Sequence, residues 1–271
     1  MRFKPFAFFI AAAALAVLAL APAAMATTPA PGYERFAGCP SPAENGEVFV
    51  CQRGVIDGGH FQMGNKDVPI TNPITLSGGI LFNGTVAANS QGGLTPVKQK
   101  VPGGVIGLTG LTWLLEFLGS EALTLYAVTE LAGVPHVREF SQRLELPVRV
   151  HLINSVLGNN CYVGSFTNPI KLNLTYGTTS PPLPNTPISG TPPTEGPETQ
   201  AGVLPFENGV LVDNSFAAPG ASGCVLTLFG FIPISINGLV NSQSGLPSAA
   251  GHNETKQNLD LELANKEAVY P

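Results

Sequence analysis

A carboxylate and an imidazole lie three residues apart in a glycine-rich segment of the chain. Residues 54–60 read Gly-Val-Ile-Asp-Gly-Gly-His, which places Asp57 close to His60. Carboxylates and histidines are the groups that hydrolases use for acid–base chemistry, and flanking glycines let a ligand approach closely. The same residue types also suit a polar turn between two strands. Asp57 and His60 are therefore the candidate catalytic residues, and a secreted hydrolase with an unrecognised site is one functional hypothesis.

Motifs for nucleophilic, metal or cofactor chemistry are not complete in this sequence. Ser222 lies in Gly-Ala-Ser-Gly-Cys, which lacks the final glycine of the Gly-x-Ser-x-Gly motif of serine hydrolases. The glycine-rich segment 103–110 has no Lys-Ser/Thr to bind phosphates and fits a turn-rich linker. Neither His-Glu-x-x-His nor Cys-x-x-Cys spacing occurs. We expect no bound metal and no cofactor.

Four cysteines give the sequence its clearest structural chemistry. An even number of cysteines in an exported chain predicts two disulfides, and four cysteines allow three pairings. Cys39 and Cys51 are close in the chain and flank a turn-like stretch, which favours pairing them with each other. Cys161 would then pair with Cys224 across a long loop.

Alternation of apolar and polar residues predicts the elements that must position these groups. The pattern is typical of half-buried strands. It occurs at 123–131, 148–152, 169–176 and 259–263.

Two Asn-Gly pairs, Asn208-Gly209 and Asn83-Gly84, lie between apolar segments and predict β-hairpins. Helical spacing is weaker and is confined to 111–118 and 234–243. The fold class predicted is mainly β, an antiparallel sandwich or barrel-like core with one or two short helices.

The N-terminus has the composition of a secretory signal peptide. Arg2 and Lys4 precede an uncharged apolar run at 6–21, and Ala24-Met25-Ala26 matches the small-x-small cleavage pattern. Residues 1–26 are therefore predicted to be a signal peptide, cleaved to leave Thr27 first. An uncleaved membrane anchor is the alternative. After cleavage, we expect a protein that is not an integral membrane protein.

Residues 27–271 are predicted to form a single β-rich domain. Seven prolines crowd 178–198, which indicates either an interdomain linker or an extended excursion from one domain. A disulfide from Cys161 to Cys224 would tie the two flanks of this stretch together, and we therefore prefer the excursion.

Composition limits the partners. Charged residues make up 11% of the chain and the formal net charge is −5, with no basic stripe. Nucleic acids and anionic membrane surfaces are therefore excluded as expected partners. An apolar cluster around Trp113 fits the buried side of a helix packed on a sheet. If exposed, it could instead contact a partner, a lipid or a second copy of the chain.

Several segments together resemble a group of secreted proteins of actinobacteria to which no function is assigned. The resemblance covers residues 102–108, 146–154, 157–165, 175–182 and 221–224. It implies export and a disulfide between the cysteines at 161 and 224. It implies no catalytic residue, cofactor or substrate.

These observations leave three functional hypotheses. The first is an exported, disulfide-stabilised, non-enzymatic protein that acts by binding or assembly at the cell envelope or outside the cell, with a cell-envelope or hydrophobic partner. The second is a carrier of a hydrophobic small molecule or lipid within the β core. The third is the hydrolase of Asp57 and His60.

Overall fold

The computed structural model describes residues 27–113, 122–138, 143–228 and 231–271. Within these ranges the fold is mainly β, as the alternating segments predict. A curled antiparallel sheet forms a half-barrel, and the described residues include three short α-helices where one or two were expected. The predicted signal peptide, residues 1–26, lies outside the described residues. No helix of the described ranges is long and apolar enough to cross a membrane.

The strands are numbered in chain order. They are β1 (Val48–Met63), β2 (Lys66–Pro69), β3 (Ile74–Leu81), β4 (Val86–Ala87), β5 (Gly93–Leu94), β6 (Lys98–Lys100), β7 (Tyr126–Leu131), β8 (His136–Arg138), β9 (Arg143–Ile153), β10 (Tyr162–Val163), β11 (Ile170–Thr175), β12 (Thr194–Glu195), β13 (Val203–Asp213), β14 (Ala221–Ser222), β15 (Val225–Leu228), β16 (Ile232–Ser235) and β17 (Glu254–Asn265). The helices are α1 (Gly104–Thr109), α2 (Asn237–Ser244) and α3 (Lys266–Val269).

The main sheet follows the order β14-β10-β9-β11-β13-β17-β1-β3-β4. The C-terminal strand β17 lies between β1 and β13, so Leu261 is opposite Gly54 on one side and opposite Phe206 on the other. Strand β9 pairs with β7 and β8 as well as with β10 and β11. The strands β15 and β16 form a separate antiparallel pair.

The curled sheet is joined to itself where the β3–β4 turn meets β8. The Val137 N–H donates to the Gly84 carbonyl at 2.7 Å, and the Val86 N–H donates to the Pro135 carbonyl at 3.0 Å. Gly84 has a φ of +84°, and a Cβ there would lie 2.1 Å from the Val137 carbonyl oxygen. This close approach therefore requires glycine.

Alternation along the strands separates two apolar clusters. On β1, Gln52, Gly54 and Ile56 face the inside of the curled sheet, where a cavity is found. Cys51 points the other way, because successive side chains of a strand lie on opposite faces. It belongs to a smaller cluster with Phe36, formed by the N-terminal segment, β17 and α3 against the outside of the sheet.

Both predicted disulfides are present. Cys39 is bonded to Cys51 and Cys161 to Cys224, at sequence separations of 12 and 63. All four side chains are fully buried. The first bridge lies in the smaller cluster and the second in the main core.

One of the two hairpin predictions is wrong. Asn83-Gly84 does turn the chain between β3 and β4. Asn208-Gly209, in contrast, lies inside β13, which pairs with β17 on both sides of it. The register shifts between Phe206 and Gly209, Asn208 has a φ of +60°, and its N–H donates to Asp260 Oδ1 at 2.9 Å. The pair forms a β-bulge, which uses the same left-handed backbone as a hairpin turn.

The helix predictions have mixed outcomes. α2 overlaps the predicted segment 234–243 closely. Most of 111–118 lies outside the described residues. The glycine-rich segment 103–110 is not a linker but contains α1, with Gly103 and Gly110 at its ends in left-handed conformations.

The proline-rich stretch 178–198 is bound along the sheet by backbone hydrogen bonds. Thr191 and Val210 exchange N–H···O bonds of 2.9 and 2.8 Å, and the Gly196 N–H donates to the Pro205 carbonyl at 2.9 Å. The stretch therefore lies against β13, and this position places two of its prolines beside the interior of the sheet.

Candidate functional site

The inside of the curled sheet contains an apolar cavity of about 410 Å³. Its volume falls in the range of roughly 300–1,000 Å³ typical of small-molecule sites. Strands β1, β3, β9, β13 and β17 supply most of its wall. The aliphatic lining includes Ile56, Leu76, Leu146, Leu211 and Leu259.

A glycine and two prolines shape this space. Gly54 occupies an inward-facing position of β1 and leaves room where its neighbours on the same face carry side chains. A Cβ at Gly54 would lie 3.2 Å from Leu259 Cδ1, so even alanine would crowd the wall. Pro192 and Pro193 line the cavity as well, because the adjacent Thr191 is held on Val210.

A second, smaller cavity extends the space into the core. It measures about 50 Å³ and shares Ile56, Leu94 and Leu146 with the larger one. Phe61 and Met63 contribute to its wall. The two cavities therefore adjoin each other, and Gln99, Thr129 and Gln257 also line the smaller one.

Three polar side chains lie in the wall of the larger cavity: Gln52, Arg143 and Tyr176. The Gln52 amide is buried, and its Nε2 donates to the Leu76 carbonyl at a long distance of 3.5 Å. Arg143 and the Tyr176 hydroxyl form no hydrogen bond or ion pair with any of the described residues. An apolar wall with a few polar groups that lack partners is typical of a ligand-binding site.

Burial determines the ionisation of Tyr176. Loss of hydration raises the pKa of its hydroxyl to about 12. A tyrosine hydroxyl is protonated at neutral pH, and the raised pKa keeps it protonated in more alkaline solution, so it is available as a hydrogen-bond donor.

Burial also raises the pKa of the Asp213 carboxyl, which lies near Arg143. The N–H groups of Asn173 and Ser215, at 2.7 and 2.8 Å, and the charge of Arg143 act in the opposite direction and lower it. The Asp213 oxygens are thus bound by backbone donors.

The candidate catalytic residues Asp57 and His60 both lie on β1, outside this cavity. Asp57 is exposed at the register shift between Ile56 and Gly58. Within the described ranges no hydrogen bond or ion pair connects it to His60. The imidazole instead lies 2.9 Å from Asp67 Oδ1 through Nδ1 and 3.7 Å from Glu254 Oε1 through Nε2. The structure brings His60 together with these carboxylates rather than with Asp57.

Other features singled out from the sequence lie apart from the cavity. Ser222 is exposed on β14, and its hydroxyl makes no hydrogen bond to the described residues. Trp113 is 42% exposed, whereas the apolar residues that follow it lie outside the described ranges. No cluster of three or more potential metal ligands occurs among the residues that the structure describes.

An apolar surface lies on the β15–β16 pair. Phe231 is 74% exposed, and Ile232 and Ile234 are each 42% exposed. Every described residue of β16 is exposed. This surface belongs to the part of the protein that the second disulfide joins to the main sheet.

The sequence placed the leucines of β17 on one face of a strand, but it identified neither these leucines nor Arg143 and Tyr176 as site residues. Alternation along residues 259–263 assigns Leu259 and Leu261 to one face. Arg143 follows no motif, and Tyr176 reads as the last apolar residue of the predicted strand 169–176. Both residues enter the wall of the cavity through the folding of the sheet, which the local sequence pattern does not reveal.

No protein-family model, curated protein or solved structure matches this chain. The geometry of the cavity is therefore the main guide to function.

Proposed function

We propose that the protein binds a hydrophobic small molecule or lipid in the cavity of its curled sheet. The observation that carries this proposal is the apolar cavity of about 410 Å³, enclosed by strand residues and by two prolines of the stretch 178–198. A core of this type normally packs without such space, because empty volume costs stability. A ligand that fills the cavity would recover that cost.

Fluorescence titration with N-phenyl-1-naphthylamine, a neutral probe that brightens in apolar surroundings, tests this proposal. Leu261→Trp places a larger side chain in the cavity wall. Leu183→Trp makes the same exchange at a position that is 86% exposed and lies outside the cavity. We expect saturable binding by the wild type and by Leu183→Trp, and at least a tenfold loss of affinity in Leu261→Trp.

Thermal unfolding of each variant establishes that it remains folded. Leu144→Trp, which fills the cavity from β9, provides a second position if Leu261→Trp is unstable. Equal probe affinity in folded wild type and in a folded cavity-filled variant would show that the probe binds elsewhere, and would contradict the proposal.

We further propose that the chain acts after export. Two buried disulfides are compatible with an oxidising, extracytoplasmic environment. The charged, apolar and small residues at the N-terminus, together with the resemblance to secreted actinobacterial proteins, support a cleaved signal peptide. The mass of the protein recovered from the medium of a secreting host tests this. A chain that begins at Thr27 is expected, and a retained N-terminus would contradict cleavage.

A second function, binding or assembly at the cell envelope, is favoured by the exposed apolar residues of β16. If the apolar residues of β16 mediate association with lipid vesicles or with a second copy of the chain, Ile234→Asn should abolish that association. Val134→Asn, which changes a residue 66% exposed on the turn between β7 and β8, is the matched control. Equal association of both variants in sedimentation experiments would exclude β16 as the contact.

A further inference from the structure

The polar groups of the cavity indicate the chemical class of its ligand. Resting on the function proposed above, we propose that the cavity binds an amphiphile with one small anionic head group, of which a long-chain carboxylate is the simplest. Arg143 and Tyr176 would bind the head group, and the aliphatic wall would contain the tail.

Arg143 is available for an anion. It lines the cavity and is also exposed to solvent, so it lies at an opening of the cavity. It forms no ion pair with any described residue, unlike the other arginines of the described ranges. Those arginines each have a glutamate oxygen at 2.6–3.2 Å: Arg35, Arg53, Arg138 and Arg149.

Asp213 forms no ion pair with Arg143. Asp213 is close enough for the charge of Arg143 to favour its ionised form, but no ion pair joins the two. Its oxygens accept hydrogen bonds from the Asn173 and Ser215 N–H groups instead. A guanidinium presents several donors in one plane, which suits a carboxylate of the ligand.

Tyr176 supplies a second donor in the lining of the same cavity. The Cα atoms of Thr175 and Arg143 are partners in the pairing of β11 with β9, and Tyr176 is the next residue along the chain. Both side chains line the same cavity. Because the Tyr176 hydroxyl stays protonated, it can donate a hydrogen bond to an anion without repelling it.

The rest of the wall selects against other head groups. Arg143 is the only charged side chain among the described residues that line the cavity, and no acid lines it. A cationic amphiphile would meet the guanidinium without a counter-charge. A neutral one would partly cover a charge that it cannot pair, which is unfavourable. The adjoining space bounded by Leu94 and Leu146 offers further apolar volume for the end of a tail.

Displacement of N-phenyl-1-naphthylamine by matched twelve-carbon compounds tests this inference. Dodecanoate, dodecanol and dodecylammonium share a tail and differ in the head group. Below their micelle concentrations, we expect dodecanoate to displace the probe from the wild type at about tenfold lower concentration than dodecanol, as a charge-assisted hydrogen bond would give. Dodecylammonium should be the weakest of the three.

Variants test which side chains produce the preference for an anionic head group. Arg143→Met should lose the preference for dodecanoate over dodecanol. Tyr176→Phe should reduce that preference severalfold. Arg53→Met, which removes an arginine of β1 outside the cavity, should leave the preference unchanged.

The outcomes separate the two proposals. If the probe binds in the cavity and all three compounds displace it equally, the head-group inference is wrong and the hydrophobic-ligand proposal stands. If a preference for dodecanoate persists in folded Arg143→Met, the anion is bound elsewhere and the inference is also wrong. If neither probe nor compounds bind the wild type, the proposed function itself fails.

Discussion

The ionisation of Tyr176 gives a quantitative test of how deeply it lies in the cavity wall. Burial raises the pKa of this hydroxyl from 10.0 to about 12. Between these two values the unfolded chain releases a proton that the folded chain keeps. The free energy of unfolding therefore falls as pH rises above 10, by up to about 1.4 kcal/mol per pH unit. The total loss from Tyr176 approaches roughly 2–3 kcal/mol near pH 12.

The variant Tyr176→Phe isolates this contribution. The hydroxyl has no hydrogen-bond partner among the described residues, so its removal should change the stability at pH 7 by less than about 0.5 kcal/mol. Above pH 10 the wild type should lose stability that the variant keeps, and the difference between them should grow to roughly 2–3 kcal/mol in favour of the variant.

Urea unfolding at a series of pH values measures the difference, and the ultraviolet absorbance of tyrosinate follows the ionisation directly. In the native wild type one tyrosine, absent from Tyr176→Phe, should ionise near pH 12. In the urea-unfolded protein the same residue should ionise near pH 10, which provides the control. A stability difference that stays constant from pH 9 to 12 would refute the burial of the hydroxyl.

Two further predictions concern the framework around the cavity. Replacing Cys161 and Cys224 with alanine should lower the free energy of unfolding by about 4 kcal/mol, because that bridge closes a separation of 63 residues. Replacing Cys39 and Cys51, which are 12 residues apart, should lower it by about 3 kcal/mol. Urea unfolding compares the two variants, and a larger loss from the shorter loop would contradict the chain-entropy argument. Burial raises the pKa of Asp213, so the free energy of unfolding of the wild type relative to that of Asp213→Asn should fall as pH rises from 3.8 through the folded-state pKa. Parallel pH profiles for wild type and variant would contradict this.

The parts of the fold that depend on local pattern were predictable. Alternation of leucine with acidic residues at 259–263 predicted a strand with one buried face, and β17 provides it. The short separation between Cys39 and Cys51 predicted their pairing, because a bridge across a turn needs no information about distant contacts. Asn83-Gly84 predicted a hairpin on the same local basis.

The parts of the fold that depend on pairing between distant segments of the chain were not predictable from the sequence. Asn208-Gly209 suits both a hairpin turn and a bulge, and the choice is made by β17, which lies some fifty residues further along the chain. The cavity depends on the curl of the whole sheet, which brings Arg143 and Tyr176 into its wall. Arg143 therefore carries no local signal that distinguishes it from an ordinary exposed arginine.

The proximity of Asp57 and His60 in the sequence indicated a site that the fold does not assemble from those two residues. The strand points Asp57 outward at a register shift, while His60 meets Asp67 across the β1–β2 pair. Three residues of separation in an extended strand place two side chains on opposite faces, unless a bulge intervenes. Sequence spacing alone therefore predicted a contact between Asp57 and His60 that depends on backbone geometry.

The most direct test of a ligand site inside the curled sheet is a crystal structure with 12-bromododecanoate, in which anomalous scattering locates the bromine. We expect a bromine peak inside the cavity, among Leu76, Leu211 and Leu259, with the carboxylate within hydrogen-bond distance of Arg143. Bromine found only on the outer surface, with the cavity filled by the protein's own side chains, would contradict it.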